Sequence, residues 1–118
     1  MGTMEITQGA LNNLVGALAT PQWYEGGDAV KHAYQAGKLL TETFEPFMRK
    51  ETPKEETAEE TEAYVNATLK VEIGKAGRKT CKAALEYRIN KGQFVPNKWV
   101  FELMEIFGLA PVDEEDED

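Results

Sequence analysis

The fold is decided by residues 68–85, TLKVEIGKAGRKTCKAAL, whose hydrophobic pattern changes period halfway along. Over residues 68–73 apolar and polar side chains alternate, which is typical of a β-strand. After Gly77, the apolar side chains of Cys81, Ala84 and Leu85 recur at helical spacing. We therefore expect a strand that turns at residues 74–77 into a helix over about residues 76–91, and we expect Gly92 to end that helix.

A single strand needs a partner, because its backbone N–H and C=O groups would otherwise stay unpaired. The only other alternating segment is Met4-Glu5-Ile6. The partner is therefore either this segment or the same strand of a second molecule. We predict a small two-stranded sheet.

Helical spacing also predicts three further helices. Residues 8–19 form the first, with Thr7 as its N-cap. Asp28 caps the second, a long helix that Pro46 kinks or stops near Glu45. Pro96 starts the last, over residues 96–107, and Gly108 ends it. The apolar stripe of the long helix is predicted to be Val30, Ala33, Tyr34, Gly37, Leu40 and Phe44. The predicted fold is α+β and mostly α, with four or five helices.

Two acidic segments lack large apolar side chains. Residues 51–62, ETPKEETAEETE, suit either an exposed helix that starts at Thr52-Pro53 or a linker. Residues 112–118, VDEEDED, are predicted to be a disordered acidic tail, because like charges repel. Residues 1–111 then form one domain, as the length of 118 residues indicates.

Charge is divided unevenly along the chain, which has a net charge of −8. Residues 1–69 carry −6, residues 70–98 carry +6, and residues 99–118 carry −8. A basic segment beside an acidic end indicates a charged partner or internal masking.

The signatures of common enzymes and metal sites are missing from the sequence. The chain has one histidine, His32, one cysteine, Cys81, and no serine. These counts exclude a serine triad and an internal disulfide, and they leave no zinc ligand set. We expect no catalytic residue, metal or cofactor. No apolar run approaches the roughly 20 residues that a membrane helix needs, so we expect a cytoplasmic protein.

The basic side chains of the central helix form a stripe. They lie within about 100° of arc, away from the predicted core face. The stripe is either a solvated helix face, a phosphate-binding surface or a contact for the acidic tail. The candidate residues for nucleic-acid or anion binding are Gly74, Lys75, Gly77, Arg78, Lys79 and Lys82.

Residues 73–77, IGKAG, resemble the I-G-x-x-G loop of KH domains. The resemblance extends over residues 73–95, with a following helix and a strand at residues 93–95. It implies that Gly74 and Gly77 clamp the backbone of a single-stranded nucleic acid. The pattern departs from the family before the loop, where KH domains have a helix and this sequence predicts a strand.

Three aromatic residues are candidates for a protein interface. Trp23 and Tyr24 lie in a glycine-rich loop, where they either anchor a partner or cap the core. Phe101 lies about 200° around its helix from Trp99, so we expect it to be exposed and to favour a helix contact or a homo-oligomer.

The opening segment MEITQGALNNLVGALATP, residues 4–21, and the long helix after it are similar to small phage and prophage proteins of unknown role. This resemblance implies a phage or bacterial source. The leading hypothesis is a non-enzymatic interaction or structural accessory protein that binds another protein. The alternatives are a nucleic-acid or anion-binding protein that uses the basic stripe, and an acidic inhibitor that mimics nucleic acid.

Overall fold

A computed structural model gives the fold of residues 2–19 and 29–110, which is the part of the chain that the structure describes. Its two strands, β1 (Gly2–Thr7) and β2 (Thr68–Ile73), pair antiparallel. Met4 lies opposite Val71, and the same face of the sheet buries Ile6 and Ile73. Because side chains alternate across a strand, the charged partners Glu5 and Lys70 fall on the other face. The predicted two-stranded sheet is confirmed.

Five α-helices lie in the described residues, and with the sheet they confirm the predicted α+β, mostly α fold. Two predictions, the cap at Asp28 and the disordered tail at residues 112–118, lie outside the described residues. The helices are α1 (Gln8–Ala19), α2 (Ala29–Lys38), α3 (Ala58–Asn66), α4 (Lys75–Asn90) and α5 (Lys98–Ile106).

Helix α1 lies at the centre of the core and packs against α3, α4 and α5. Leu11, Leu14 and Leu18 are fully buried, as their spacing predicts. The Ala10 backbone N–H donates to Thr7 Oγ1 at 3.4 Å, in agreement with the predicted cap. Thr7 is also bonded to α5, because its backbone N–H and its hydroxyl each donate to the Glu102 carboxylate at 2.8 Å.

Helix α4 has the predicted orientation. Cys81, Ala84 and Leu85 are fully buried, whereas Lys79 and Lys82 are exposed. The helix begins at Lys75, directly after β2, and Gly92 follows its end with a φ of +66°. The sheet and α4 therefore form one continuous unit in which the cations point away from the core.

The predicted apolar stripe of α2 is wrong at Val30, Tyr34 and Gly37, which are exposed, and correct at Phe44. Val30 is 81% exposed and Tyr34 is 62% exposed, while Ala36, Leu39 and Phe44 are buried. The physical reason is a π-helical turn at Leu39–Thr43 that continues α2. A π-turn aligns residues five apart, as the 2.8 Å bond from Phe44 N–H to the Leu39 carbonyl shows, so an α-helical period assigns the wrong face.

Residues 51–62 are part helix and part irregular chain. The helix starts at Ala58, and not at Thr52-Pro53, because Thr57 Oγ1 accepts a bond from the Glu60 backbone N–H at 3.1 Å. Before this cap, Arg49 forms a two-pronged ion pair with Glu56 at 2.6 and 3.0 Å. The Arg49–Glu56 pair therefore holds the acidic segment just before α3, and residues 58–62 of the helix are exposed.

Helix α5 starts at Lys98, two residues later than predicted. The Asn97 side chain accepts bonds from the backbone N–H groups of Trp99 and Val100, both at 3.0 Å, so Asn97 and not Pro96 defines the start. Gly108 has the predicted left-handed conformation, with a φ of +70°. Residues 93–95 form no strand, so the strand that the KH resemblance implied is not present there.

Candidate anion-binding groove

The predicted basic stripe lies on the outer face of α4. Lys75, Lys79 and Lys82 are exposed and Arg78 is half-buried. On the opposite face, Thr80 and Cys81 are buried against the core. The helix is amphipathic, so the packing of its inner face fixes the direction of its cations.

The two glycines of the predicted anion site have separate structural roles. Gly74 is the N-cap residue of α4, and because it has no side chain, the start of this helix has no side-chain cap. Gly77 is buried within α4, where an added Cβ would lie 3.0 Å from Ile73 Cγ1 and 3.1 Å from Leu39 Cδ2. The position of Gly77 is therefore explained by close packing against β2 and the π-turn. A strand and a helix flank this segment, whereas the KH loop lies between two helices.

Helix α2 lies beside α4, and the two helices border a groove of about 550 Å³. Lys31 and Lys79 line it from opposite sides. Across its floor, His32 Nδ1 lies 3.5 Å from Thr80 Oγ1, which joins the two helices. The described residues that line the groove are Val30, Lys31, His32, Tyr34, Gln35, Ala76, Lys79 and Thr80.

The two helices carry a positive charge in an acidic protein. Together α2 and α4 contain seven basic residues and one acidic residue, Glu86, for a net charge of +6, whereas the whole chain carries −8. Within residues 2–19 and 29–110 the only ion pair is Arg49–Glu56, so no described carboxylate pairs with these cations. We call six cations of α2 and of the outer face of α4 the basic patch: Lys31, Lys38, Lys75, Arg78, Lys79 and Lys82. Of these, Lys31 and Lys79 line the groove.

The contribution of α2 to this patch was not predicted. Lys31 and Lys38 were missed because the charge of residues 1–69 as a block is negative, and Tyr34 was missed because it was assigned to the apolar stripe. Lys38 Nζ lies 5.5 Å from the centroid of the Tyr34 ring, so a cation and an exposed aromatic ring are neighbours at the groove. A charge count over the predicted long helix would not have found α2 either, because Glu42 and Glu45 cancel Lys31 and Lys38 there.

A second exposed surface lies where α4 meets α5. Phe101 is 53% exposed, as predicted, and Val95 is 74% exposed. Phe101 lines a small groove of about 150 Å³. The residues that line it are Ile89, Phe94, Pro96, Val100, Phe101 and Met104. The other two predicted interface residues, Trp23 and Tyr24, lie outside the described residues.

The described part of the chain has neither an accessible nucleophilic thiol nor a cluster of metal ligands. Cys81 is buried, and desolvation raises the pKa of its thiol to about 12, which keeps the thiol protonated. No group of three or more potential metal ligands occurs among the described residues. No helix in the same ranges has the length and apolarity to cross a membrane.

No family model, curated protein or solved structure matches this chain.

Proposed function

We propose that this protein is a non-enzymatic interaction protein that binds an anionic partner in the groove between α2 and α4. The observation that carries the proposal is the net charge of +6 on two packed helices of a chain whose net charge is −8. Grouped cations repel one another, and a bound anion removes that repulsion. The exposed residues of the basic patch also retain their water, so they remain available to a partner at low desolvation cost.

The geometry favours binding over catalysis at this site. The polar side chains that line the groove are two lysines, an amide, a hydroxyl and a half-buried histidine, beside the apolar or aromatic side chains of Val30, Tyr34 and Ala76. His32 lies within 3.5 Å of Thr80. None of the carboxylates of the described residues lines the groove, and the buried thiol of Cys81 belongs to the core. These groups can hold charge and shape, which is what recognition of an anion requires.

Elution from a heparin column tests this proposal. The variant Lys31→Gln/Lys79→Gln removes one cation from each side of the groove, and Lys50→Gln/Lys54→Gln removes two exposed cations elsewhere with the same change of net charge. We expect the groove variant to elute at clearly lower salt than the wild type, and the control variant to elute close to it. Equal elution of the two variants would contradict the proposal.

A second candidate function is protein binding through the apolar surface around Phe101. Phe101 is exposed and lines an apolar groove with Ile89, Phe94 and Met104, and such a surface can receive an apolar helix of a partner. Affinity capture with Phe101→Ser should lose a protein that the wild type and Phe101→Leu both retain. Capture of the same proteins by all three forms would remove this candidate. A second copy of the chain is one such partner, and sedimentation of the wild type and Phe101→Ser tests it.

We place this function in the bacterial cytoplasm on the basis of the resemblance to phage and prophage proteins. The hypothesis of nucleic-acid mimicry receives no support from the groove, because a mimic presents negative charge and this surface is positive.

A further inference from the structure

We propose that the occupant of the groove between α2 and α4 is a single-stranded nucleic acid, with its phosphates on the basic patch and an unpaired base stacked on Tyr34. This inference rests on the proposed anion-binding function and adds the chemical class of the anion. Non-specific single-strand sites combine a positive groove with exposed aromatic rings, and both occur here.

The aromatic part of the site is Tyr34. Its side chain is 62% exposed, and it lines the groove together with Val30. Tyrosine has a large apolar ring with a polar tip, and here most of that ring is open to a partner. A base that stacks on the ring would bury this surface. Lys38 Nζ lies over the ring, 5.5 Å from its centroid, so this cation is in reach of a phosphate next to the stacked base.

The phosphate contacts come from both sides of the groove. Lys79 lines it from α4, and Lys75 and Lys82 lie one turn before and one turn after Lys79 on the exposed face. Lys31 lines the groove from α2. Lys31 and Lys79 thus flank the groove that Tyr34 lines, and Lys75 and Lys82 continue the row of cations along α4, so a strand that leaves the groove over α4 can make four phosphate contacts.

The same features disfavour two other polyanions. In a duplex the base faces are already stacked, so Tyr34 would have no partner. An acidic peptide would pair with the lysines, but carboxylate side chains offer no planar ring to Tyr34. A single strand is the polyanion that uses both the cations and the ring.

Fluorescence anisotropy with a labelled thymidine oligonucleotide of about 12 residues tests the inference. Four phosphate contacts give a salt slope of about −2.8, so affinity should fall about 50-fold between about 50 and 200 mM salt. The variant Lys31→Gln/Lys79→Gln retains two of the contacts, so its affinity should fall only about 7-fold over the same range. Lys50→Gln/Lys54→Gln should retain the wild-type salt slope.

Tyr34→Ala separates stacking from charge. Loss of one stacked base should weaken binding about 5- to 150-fold at fixed salt and leave the salt slope unchanged. Tyr34→Phe should retain most of the affinity, because the ring is kept. A duplex of the same length should bind more weakly than the single strand. These positions are exposed, so far-UV circular dichroism should show wild-type folding in each variant.

Three results would overturn the inference: no binding of the oligonucleotide at about 50 mM salt, equal affinity of the wild type and Tyr34→Ala, or tighter binding of a synthetic peptide with the sequence of residues 112–118. If heparin elution still depends on Lys31 and Lys79 in these cases, the anion-binding function stands and only the assignment to nucleic acid fails. If heparin elution does not depend on them, the proposed function fails first.

Discussion

The contact between α1 and α5 predicts that alanine at Gly9 destabilises the protein. A Cβ at Gly9 would lie 2.3 Å from Trp99 Nε1 and 2.5 Å from Trp99 Cε2. An ordinary contact begins at 3.4 Å, so the indole ring would have to move by about 1 Å. Trp99 belongs to the helix that carries Phe101, and its displacement would move that helix.

The change in the free energy of unfolding of Gly9→Ala is the sum of two opposing effects. Alanine is favoured over glycine in a helix by about 0.5–1 kcal/mol, while forced overpacking typically costs about 1–3 kcal/mol. A rigid ring cannot relieve the clash by a rotation of its far end, so overpacking should prevail. We expect a net loss of about 1–2 kcal/mol, or roughly 4–8 °C in melting temperature.

Gly16→Ala is the matched control on the same helix. The nearest atom to a Cβ at Gly16 is Arg88 Nη1 at 4.0 Å, so this change should stabilise the protein by about 0.5–1 kcal/mol. Urea unfolding followed by circular dichroism measures both variants. The double variant Gly9→Ala/Trp99→Ala should lose less stability than the two single variants together, because the clash is absent without the indole ring. Equal or greater stability of Gly9→Ala than of Gly16→Ala would show that Trp99 leaves room for a Cβ at residue 9.

Three further predictions concern side chains outside the groove. Cys81 should resist thiol reagents in the native protein and react only after unfolding, because it is buried and its pKa is raised to about 12; rapid native labelling would contradict this. Glu102→Ala should cost about 1–3 kcal/mol in urea unfolding, since two donors of Thr7 lose a charged acceptor, and an unchanged midpoint would exclude that role. Hydrogen bonds from Arg49 hold the pKa of Glu56 below its usual value. The wild type should therefore be more stable than Glu56→Gln above the unfolded pKa of about 4.5, and this difference in stability should disappear as pH falls through the lowered pKa. A stability difference that does not change with acidification would show that the pair has no such effect.

The local pattern of the sequence was sufficient for the elements that dominate the fold. Alternation over residues 68–73 and helical spacing after Gly77 correctly placed β2, α4 and the inner position of Cys81. The glycine at residue 108 correctly marked the end of α5. These features depend on period and on backbone conformation, and both are readable without tertiary contacts.

The groove between α2 and α4 could not be predicted from the sequence, because it depends on how these helices turn and pack against each other. Tyr34 fits the helical period of an apolar stripe, and only the π-turn at Leu39–Thr43 rotates the buried face away from it. The position of Lys31 across from Lys79 depends on the packing of α2 against α4. Similarly, both Thr52 and Thr57 begin a sequence that can cap a helix. In the structure Thr57 is the cap, and Glu56 beside it forms an ion pair with Arg49.

The most direct test of anion binding between α2 and α4 is a two-dimensional ¹⁵N–¹H NMR titration of the wild type with a short heparin oligosaccharide. If an anion binds between α2 and α4, the amide shifts should change at residues 30–35 and 75–82 and should return as salt is raised. Changes confined to α3 or α5, or no change at low salt, would contradict the claim.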